Sequence, residues 1–414
     1  MPSTSPHSLA ILGAGPVGLE AAALALELGF DVHVFERATP GAHVSAWGHV
    51  RMFTPWHMNL GPASVRLLTR HGWTAPEPDE CPTGQAFADR VLLPLAASPE
   101  LKARVHTHQQ VVAVARHGAR KGDLLGLPAR AEHPFRILVR DAGGRESFLH
   151  ARAVIDATGT YGQPNAAGTG GIPARGESYL SPQMSHHVDD VLGVRRDRHA
   201  GKTTLVIGAG ASAVTTVTLL AQLAAEVPGT RVTWVTRRDT PGFTHEVADD
   251  PLPPRAALHA EGRRLQGGAD PAVTWVGGAE VEGFEYNSAT HRYRVQLATA
   301  AGARIEECDQ VIANTGYGPD ASLYRELQVH ECYASLAPMK LAAALLAAGG
   351  AGDCLSTPAV AADVLANPEP DFWVLGAKSH GRGSQFLLQT GYAQVADVLT
   401  ALAASRGLAA TTGA

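Results

Sequence analysis

The sequence predicts an α/β protein built from two similar units, each with a parallel β-sheet and flanking helices. A glycine-rich turn at 13–18 follows the apolar run 9–12 and opens a helical stretch, and a second glycine-rich turn at 208–213 repeats the arrangement. Each turn is followed by a buried-strand pattern that ends in Thr-Gly, at 154–159 and at 311–316. The recurrence of both patterns in the same order indicates an internal repeat.

The first turn is typical of a Rossmann-like unit. A helix is predicted from Leu19 to Leu28, Gly29 ends it, and the run 32–35 reads as the next strand. Glycine lets the backbone approach a phosphate, whose charge then faces the N-terminal amides of the helix. We therefore expect this turn to bind the pyrophosphate of a dinucleotide through Gly13, Ala14, Gly15, Pro16, Val17 and Gly18.

The residues at the ends of the second strands assign the two nucleotides. Glu36 follows the first turn by about 20 residues, where a carboxylate accepts hydrogen bonds from a ribose. In the second unit, a strand at 205–207, a helix at 212–225 and a strand at 232–236 lead to Arg237 and Arg238. Arginine suits the 2′-phosphate of NADP, which a carboxylate would repel. The sequence predicts FAD in the first unit and NADPH in the second.

A simpler interpretation stays open for each pattern. The segment 316–321 also fits the relaxed glycine pattern, without the flanking strand and helix. The alternative for Arg237 and Arg238 is that they are solvated charges at a strand end. The context of the two turns, rather than their glycines alone, favours nucleotide binding.

Composition limits the function classes. The chain has 414 residues, 45% of them hydrophobic, which is enough for two substantial soluble domains. A net charge of -5 gives no general attraction for nucleic acid or an anionic membrane. No Lys or Arg precedes Arg37, so a secretory signal is not expected. The apolar run 341–348, read as a buried helix, is too short to span a bilayer, and a cytoplasmic protein is expected. Oligomeric state is not predicted.

Cysteine and histidine positions argue against two further classes. The four cysteines, Cys81, Cys308, Cys332 and Cys354, are scattered and form no closely spaced pair. A flavoprotein that reduces a protein disulfide normally needs such a dithiol, so this class is disfavoured and the cysteines read as buried apolar residues. The histidine pairs His186-His187 and His106-x-His108 lack nearby ligands at metal spacing, and no metal site is expected.

Three segments are predicted along the chain. Residues 1–165 form the first part of an FAD-binding domain, 166–320 form an inserted NADPH-binding domain, and 321–414 return to the FAD-binding domain. The FAD domain is therefore expected to be discontinuous. Within it we predict helices at 63–71, 94–103 and 386–399 and strands at 105–115 and 135–139.

The two turns, the insertion and Thr315-Gly316-Tyr317 together resemble the flavin-containing monooxygenases and the related N-hydroxylating monooxygenases. The resemblance extends over nearly the whole chain. It implies FAD and NADPH as cofactors and transfer of one oxygen atom from molecular oxygen to a nitrogen or sulfur of a small-molecule substrate. The candidate FAD-binding residues beyond the first turn are Glu36, Arg37, Trp47, Thr158, Gly159, Gly376 and Lys378. The candidate NADPH-binding residues are Gly208, Gly210, Ala211, Ser212, Ala213, Arg237 and Arg238.

Two segments are expected beside the flavin ring. The segment 47–59 is dense in aromatic and titratable residues, and Trp47, His49 and Arg51 are candidate catalytic residues; as an alternative, the aromatics are core anchors. In the glycine-rich loop 376–383, Lys378 and Arg382 would favour an anionic reduced flavin, unless this is an ordinary basic surface loop.

The sequence therefore favours an FAD- and NADPH-dependent oxidoreductase, with a monooxygenase as the leading interpretation. A reductase or dehydrogenase acting on a small acceptor without oxygenation is the alternative. A redox-sensing nucleotide-binding protein without turnover is the third possibility, from a different class.

Overall fold

The computed structural model describes residues 5–240, 249–348, 355 and 361–408. The chain forms two compact units. The first consists of Met1–Gln163 and Gly318–Ala414, and the second of Pro164–Tyr317. Each unit contains one parallel sheet and one antiparallel sheet, so the predicted α/β fold is confirmed.

The first unit begins with a strand, a helix and a second strand around the first glycine turn. Its strands up to the insertion are β1 (Ser8–Leu12), β2 (Asp31–Phe35), β3 (Val105–His106), β4 (Gln109–Arg116), β5 (Phe135–Asp141), β6 (Glu146–Ala151) and β7 (Ala153–Asp156). Its helices are α1 (Pro16–Glu27), α2 (Ala42–Ala46), α3 (Trp56–Asn59), α4 (Pro62–Arg70), α5 (Gly84–Phe87), α6 (Leu93–Ala97) and α7 (Pro99–Lys102). Proline suits the first position of α1, and Gly29, at φ +85°, adopts the left-handed conformation that ends a helix.

The second unit repeats this order around the second glycine turn. Its helices are α8 (Glu177–Leu180), α9 (Arg196–His199), α10 (Ala211–Glu226) and α11 (Pro253–Gln266). Its strands are β8 (Thr203–Ile207), β9 (Arg231–Val235), β10 (Val273–Val276), β11 (Glu280–Asn287), β12 (Arg292–Thr299), β13 (Gly302–Cys308) and β14 (Gln310–Ala313).

The C-terminal segment completes the first unit. It contributes α12 (Met339–Ala347), α13 (Ala362–Leu365), β15 (Phe372–Val374) and α14 (Leu388–Ser405). The parallel sheet of the first unit has the order β15-β7-β1-β2-β3, and that of the second unit has the order β10-β9-β8-β14. None of the helices in the described part of the chain is long and apolar enough to cross a membrane.

Several element predictions need correction. The predicted strand 105–115 is two strands, separated at His108, whose φ is +55°. The predicted helix 94–103 is divided because Ser98 is extended, with ψ 149°. The predicted buried helix 341–348 does form, as α12, but only Leu341 in it is buried, and Leu346 is 75% exposed. The apolar composition of this segment predicted the helix correctly, but it did not show that most of the helix is partly or fully exposed to solvent.

A buried ion cluster joins the two halves of the first unit. The Arg116 Nε donates to Glu369 Oε1 at 2.7 Å, and Arg130 Nη2 donates to Oε2 at 2.7 Å. The backbone amide of Gln328 also donates to Oε2, at 2.8 Å. The three charged side chains are at most 1% exposed. Burial acts to raise the pKa of Glu369, but the two guanidinium groups and the amide hold that pKa below its usual value.

We expect Glu369→Gln to lower the free energy of unfolding by about 3–5 kcal/mol, because it leaves two buried guanidinium groups without a counter-charge. Urea denaturation at neutral pH measures this. Glu146→Gln, which breaks the exposed pair with Arg140, is the matched control and should cost under about 1 kcal/mol. Since the folded-state pKa of Glu369 is depressed, the stabilisation should be full at neutral pH and should shrink as the pH falls below about 4. Equal costs for both variants would contradict this account.

Candidate nucleotide-binding sites

Two positions in the first turn must be glycine, because a side chain at either one would collide with a backbone carbonyl oxygen. A Cβ built on Gly13, whose φ is +96°, would lie 2.8 Å from the carbonyl oxygen of Ala157. A Cβ on Gly18 would lie 2.0 Å from the carbonyl oxygen of Gly13. Gly15 differs, because nothing lies within 4 Å of its Cβ position and its φ of -81° suits any residue. The space in front of Gly15, at the start of α1, is therefore open to a ligand.

Glu36 is fixed by the turn that it follows. Its Oε2 accepts a hydrogen bond from the Ala14 amide at 2.9 Å, and its Oε1 accepts one from the Ala38 amide at 2.9 Å. Each carboxylate oxygen can accept a further hydrogen bond. The side chain is therefore oriented in advance and can still bind a hydroxyl group.

A cleft of about 290 Å³ in the first unit brings most of the predicted FAD residues together. Those that line it are Gly13, Gly15, Pro16, Val17, Glu36, Arg37, Thr158, Gly159 and Gly376. Ala14 and Gly18 are buried within the turn, and neither lines the cleft. The cleft lies at the carboxyl ends of β1, β2 and β7, where open α/β sheets bind their ligands.

Sequence reasoning missed other residues of the cleft wall. Arg37 donates to His43 Nε2 at 2.6 Å, and the His43 ring packs against Tyr161 at 5.2 Å between centroids. Burial and the neighbouring guanidinium lower the pKa of His43. Asp320 and Phe386 also line the cleft. These side chains come from loops and helix ends that carry no motif, so the sequence offered no signal for them.

Lys378 does not present its charge to the cleft. Its side chain is fully buried, and its Nζ donates to Asp156 Oδ2 at 2.6 Å and to the Thr158 hydroxyl at 3.2 Å. The expectation of a free positive charge beside the flavin is therefore wrong for Lys378, because a carboxylate neutralises it. Arg382 is exposed, and its amide donates to the Ser335 carbonyl.

The candidate catalytic residues of the segment 47–59 lie outside the cleft wall. Trp47 packs over Gly84, where an added Cβ would approach its ring to 2.5 Å. Arg51 is exposed and donates to the Cys81 carbonyl at 2.6 Å, and His49 is half-buried. Trp56, at 2% exposed, anchors the core in contact with Phe87. The alternative interpretation, that the aromatic residues of this segment anchor the core, therefore describes Trp56.

The second turn repeats the geometry of the first. Gly208 has φ +135°, and a Cβ on it would lie 2.3 Å from the Asn314 carbonyl oxygen. Its amide donates to the Val235 carbonyl, as the Gly13 amide donates to Phe35. Nothing lies within 4 Å of the Cβ position of Gly210. The remaining predicted residues, Ala211, Ser212 and Ala213, form the first turn of α10.

The residue that corresponds to Glu36 is uncharged in the second unit. Glu36 and Thr236 each follow the strand that accepts the turn amide, and each donates its own amide to the next strand. The Thr236 hydroxyl donates to the Arg238 carbonyl at 2.9 Å and accepts from Trp275 Nε1 at 2.9 Å. Arg237 and Arg238 follow it and are exposed. The position that corresponds to Glu36 therefore carries a hydroxyl instead of a carboxylate, and two exposed arginines follow it.

Cysteines do not contribute to the cleft in the part of the chain that the structure describes. Cys308 is buried, and burial raises the pKa of its thiol to about 12. Burial also raises the pKa of the Cys81 thiol. Cys354 lies outside the described residues. Among the residues described, no group of three His, Cys, Asp or Glu side chains is arranged to hold a metal ion.

Each of the two parallel sheets carries a glycine turn at its carboxyl edge, which is where α/β folds of this kind bind dinucleotides. The family model described as pyridine nucleotide-disulphide oxidoreductase matches residues 143–339. The fold and this match agree with the predicted resemblance to FAD- and NADP(H)-dependent flavoprotein oxidoreductases that have two dinucleotide-binding units. No curated protein sequence gives a significant match.

Solved structures share the fold over nearly their full length. Bacillithiol disulfide reductase from Bacillus cereus is 16% identical, with 96% of this chain and 99% of that chain covered and a TM-score of 0.69. Ornithine N-hydroxylase from Kutzneria sp. 744, with reduced FAD, NADP+ and L-ornithine, is 18% identical, with 98% and 100% covered and a TM-score of 0.61. Thioredoxin reductase from T. acidophilum is 15% identical, with 97% and 99% covered and a TM-score of 0.59.

Gly15→Val and Gly210→Val should each block one nucleotide and leave the fold intact, because both positions are extended and open. We expect Gly15→Val to abolish FAD retention and Gly210→Val to abolish NADPH binding, with melting temperatures of the ligand-free proteins unchanged. Absorbance spectra, nucleotide titration and thermal unfolding measure these effects. Gly13→Val is the contrasting variant and should destabilise the fold itself, because its side chain would meet Ala157. Retention of FAD by Gly15→Val would refute this position for the pyrophosphate.

Proposed function

We propose that the protein is an FAD-dependent, NADPH-consuming monooxygenase that transfers one oxygen atom from molecular oxygen to a nitrogen or sulfur of a small molecule. The observation that carries this proposal is a nucleotide cleft without a thiol on its described wall. A dithiol beside the flavin is what a protein disulfide reductase would require. The spacing of the cysteines points the same way.

The first unit fits FAD. The amides at the start of α1 would bind the pyrophosphate in the open space at Gly15, and Glu36 would accept hydrogen bonds from the adenosine ribose. FAD, when bound, supplies the redox chemistry, accepting a hydride from NADPH and reducing oxygen. The protein's own residues orient the cofactor and exclude water from it. No side chain of the cleft is required as a nucleophile.

The second unit fits NADPH. Gly210 leaves space for the pyrophosphate, and Thr236 places no negative charge at the ribose. Arg237 and Arg238 would bind the 2′-phosphate through charge-assisted hydrogen bonds. An unphosphorylated ribose would offer these guanidinium groups no such acceptor.

Structural similarity supports an amine as the substrate class. Besides the ornithine N-hydroxylase, the fold is shared with a cadaverine monooxygenase from Erwinia amylovora, at a TM-score of 0.62. The substrates named for these two proteins carry primary amines. An alkyl amine is therefore the first substrate class to test.

A second candidate function is reduction of a small acceptor without oxygenation. The fold similarity to two bacillithiol disulfide reductases, at TM-scores of 0.69 and 0.68, favours it. Such an enzyme would oxidise NADPH in the absence of oxygen when a suitable acceptor is present.

Incorporation of labelled oxygen separates the two candidates. With NADPH, ¹⁸O₂ and a panel of amines and thioethers, we expect oxygen uptake to equal NADPH oxidation and one ¹⁸O atom to appear in the product by mass spectrometry. Anaerobic oxidation of NADPH by a small disulfide, with no labelled product in air, would instead establish the reductase. If FAD is bound and can be reduced but neither activity is detected, the result would favour a non-catalytic protein.

Replacing Arg237 and Arg238 by alanine should weaken NADPH binding by about 1.5–3 kcal/mol for each charged hydrogen bond lost. NADH binding should hardly change, because NADH lacks the 2′-phosphate. Stopped-flow reduction of the flavin with each nucleotide measures both affinities. Arg231→Ala, at the exposed start of β9 and away from the glycine turn, is the control. A wild-type protein that uses NADH and NADPH equally would refute the assignment.

A further inference from the structure

A fully buried ion pair in the first unit contacts Thr158, a residue of the cleft wall. Asp156 ends β7, and Lys378 follows β15 in a short 3-10 turn. The ammonium donates to Asp156 Oδ2 at 2.6 Å, and both side chains are 0% exposed. The other oxygen, Oδ1, accepts from the Thr158 amide at 3.0 Å and from the Thr158 hydroxyl at 2.7 Å. The carboxylate therefore orients a residue of the cleft wall, and the lysine binds the carboxylate.

Residues next to this pair in the chain lie against the first glycine turn and the start of α1. The carbonyl oxygen of Ala157 is the atom that a side chain on Gly13 would meet, and a Cβ on Gly376 would lie 3.2 Å from Val17 in α1. Charges act more strongly in such a poorly solvated region than in water. A carboxylate left alone here would oppose the negative charge of a diphosphate at Gly15.

We propose that Lys378 is the counter-charge that allows the cleft to accept a dinucleotide phosphate despite the buried Asp156. This inference rests on the proposed FAD site. Asp156 holds Thr158 in place. Lys378 is thus a positioning residue that acts through Asp156 and through the Thr158 hydroxyl, to which its Nζ also donates at 3.2 Å, and not through the ligand.

The test compares Lys378→Met, Asp156→Asn and the double variant in the full-length protein. Lys340→Met, which removes an exposed lysine of α12, is the matched control. All of these proteins, and the wild-type reference, carry Gly210→Val, which closes the second pyrophosphate site, so that ADP reports on the first unit. Calorimetry gives the Kd for FAD and for ADP, which carries the diphosphate without the flavin, and thermal unfolding reports the fold. We expect Lys378→Met to weaken both ligands at least tenfold. The double variant should bind within threefold of the wild type, and Asp156→Asn should bind more tightly than the double variant. Lys340→Met should change nothing.

Several results would overturn the inference. A folded Lys378→Met protein with wild-type affinity would do so, and so would equal weakening in Lys378→Met and the double variant, because the pair would then act through packing. If Lys378→Met does not fold, equal affinities of Asp156→Asn and the double variant overturn it. A wild type that binds ADP but not FAD refutes only the flavin assignment, and the ADP comparison then decides. A wild type that binds neither refutes both proposals.

Discussion

A backbone contact that only glycine permits underlies both units. Gly13 lies against the carbonyl of Ala157, and Gly208 lies against the carbonyl of Asn314. Each contact brings a glycine turn against the carboxyl end of a strand that pairs with the strand before the turn. These strands are β7, which pairs with β1, and β14, which pairs with β8. The first helix of each unit then starts at the carboxyl edge of its sheet, with its amides facing open space. The positions of Glu36, Thr236 and the cleft wall all follow from this contact.

The two units share this geometry and differ in electrostatics. In the first unit a carboxylate accepts a hydrogen bond from one turn amide, that of Ala14, and the next residue, Arg37, donates to His43. In the second unit a hydroxyl takes the place of that carboxylate, and two arginines follow. The same backbone therefore presents an acceptor for hydroxyl groups in one unit and donors for a phosphate in the other.

Local features of the site were predictable, and contacts between distant segments were not. The glycine turns, their strands and Glu36 depend on residues within one strand-helix-strand segment, and the sequence shows them directly. Lys378 and Asp156 are 222 residues apart, so no pattern could reveal that one neutralises the other. Trp47 packs over Gly84 and does not line the cleft, and aromatic density in a sequence does not tell which surface a ring covers. His43 lies in the five-residue helix α2 and Tyr161 lies in a turn, and neither segment is long enough to show a periodicity.

The buried cluster of Arg116, Arg130 and Glu369 has a consequence for how the chain matures during synthesis. The second unit is continuous in sequence, so all of its strands leave the ribosome together. Arg116 and Arg130 are synthesised 253 and 239 residues before their carboxylate partner Glu369. Because domains fold as units when their parts are available, the inserted unit can fold while the first still awaits its C-terminal segment. Until then, the exposed strands of the nascent first unit are the part of the chain that chaperones would need to protect.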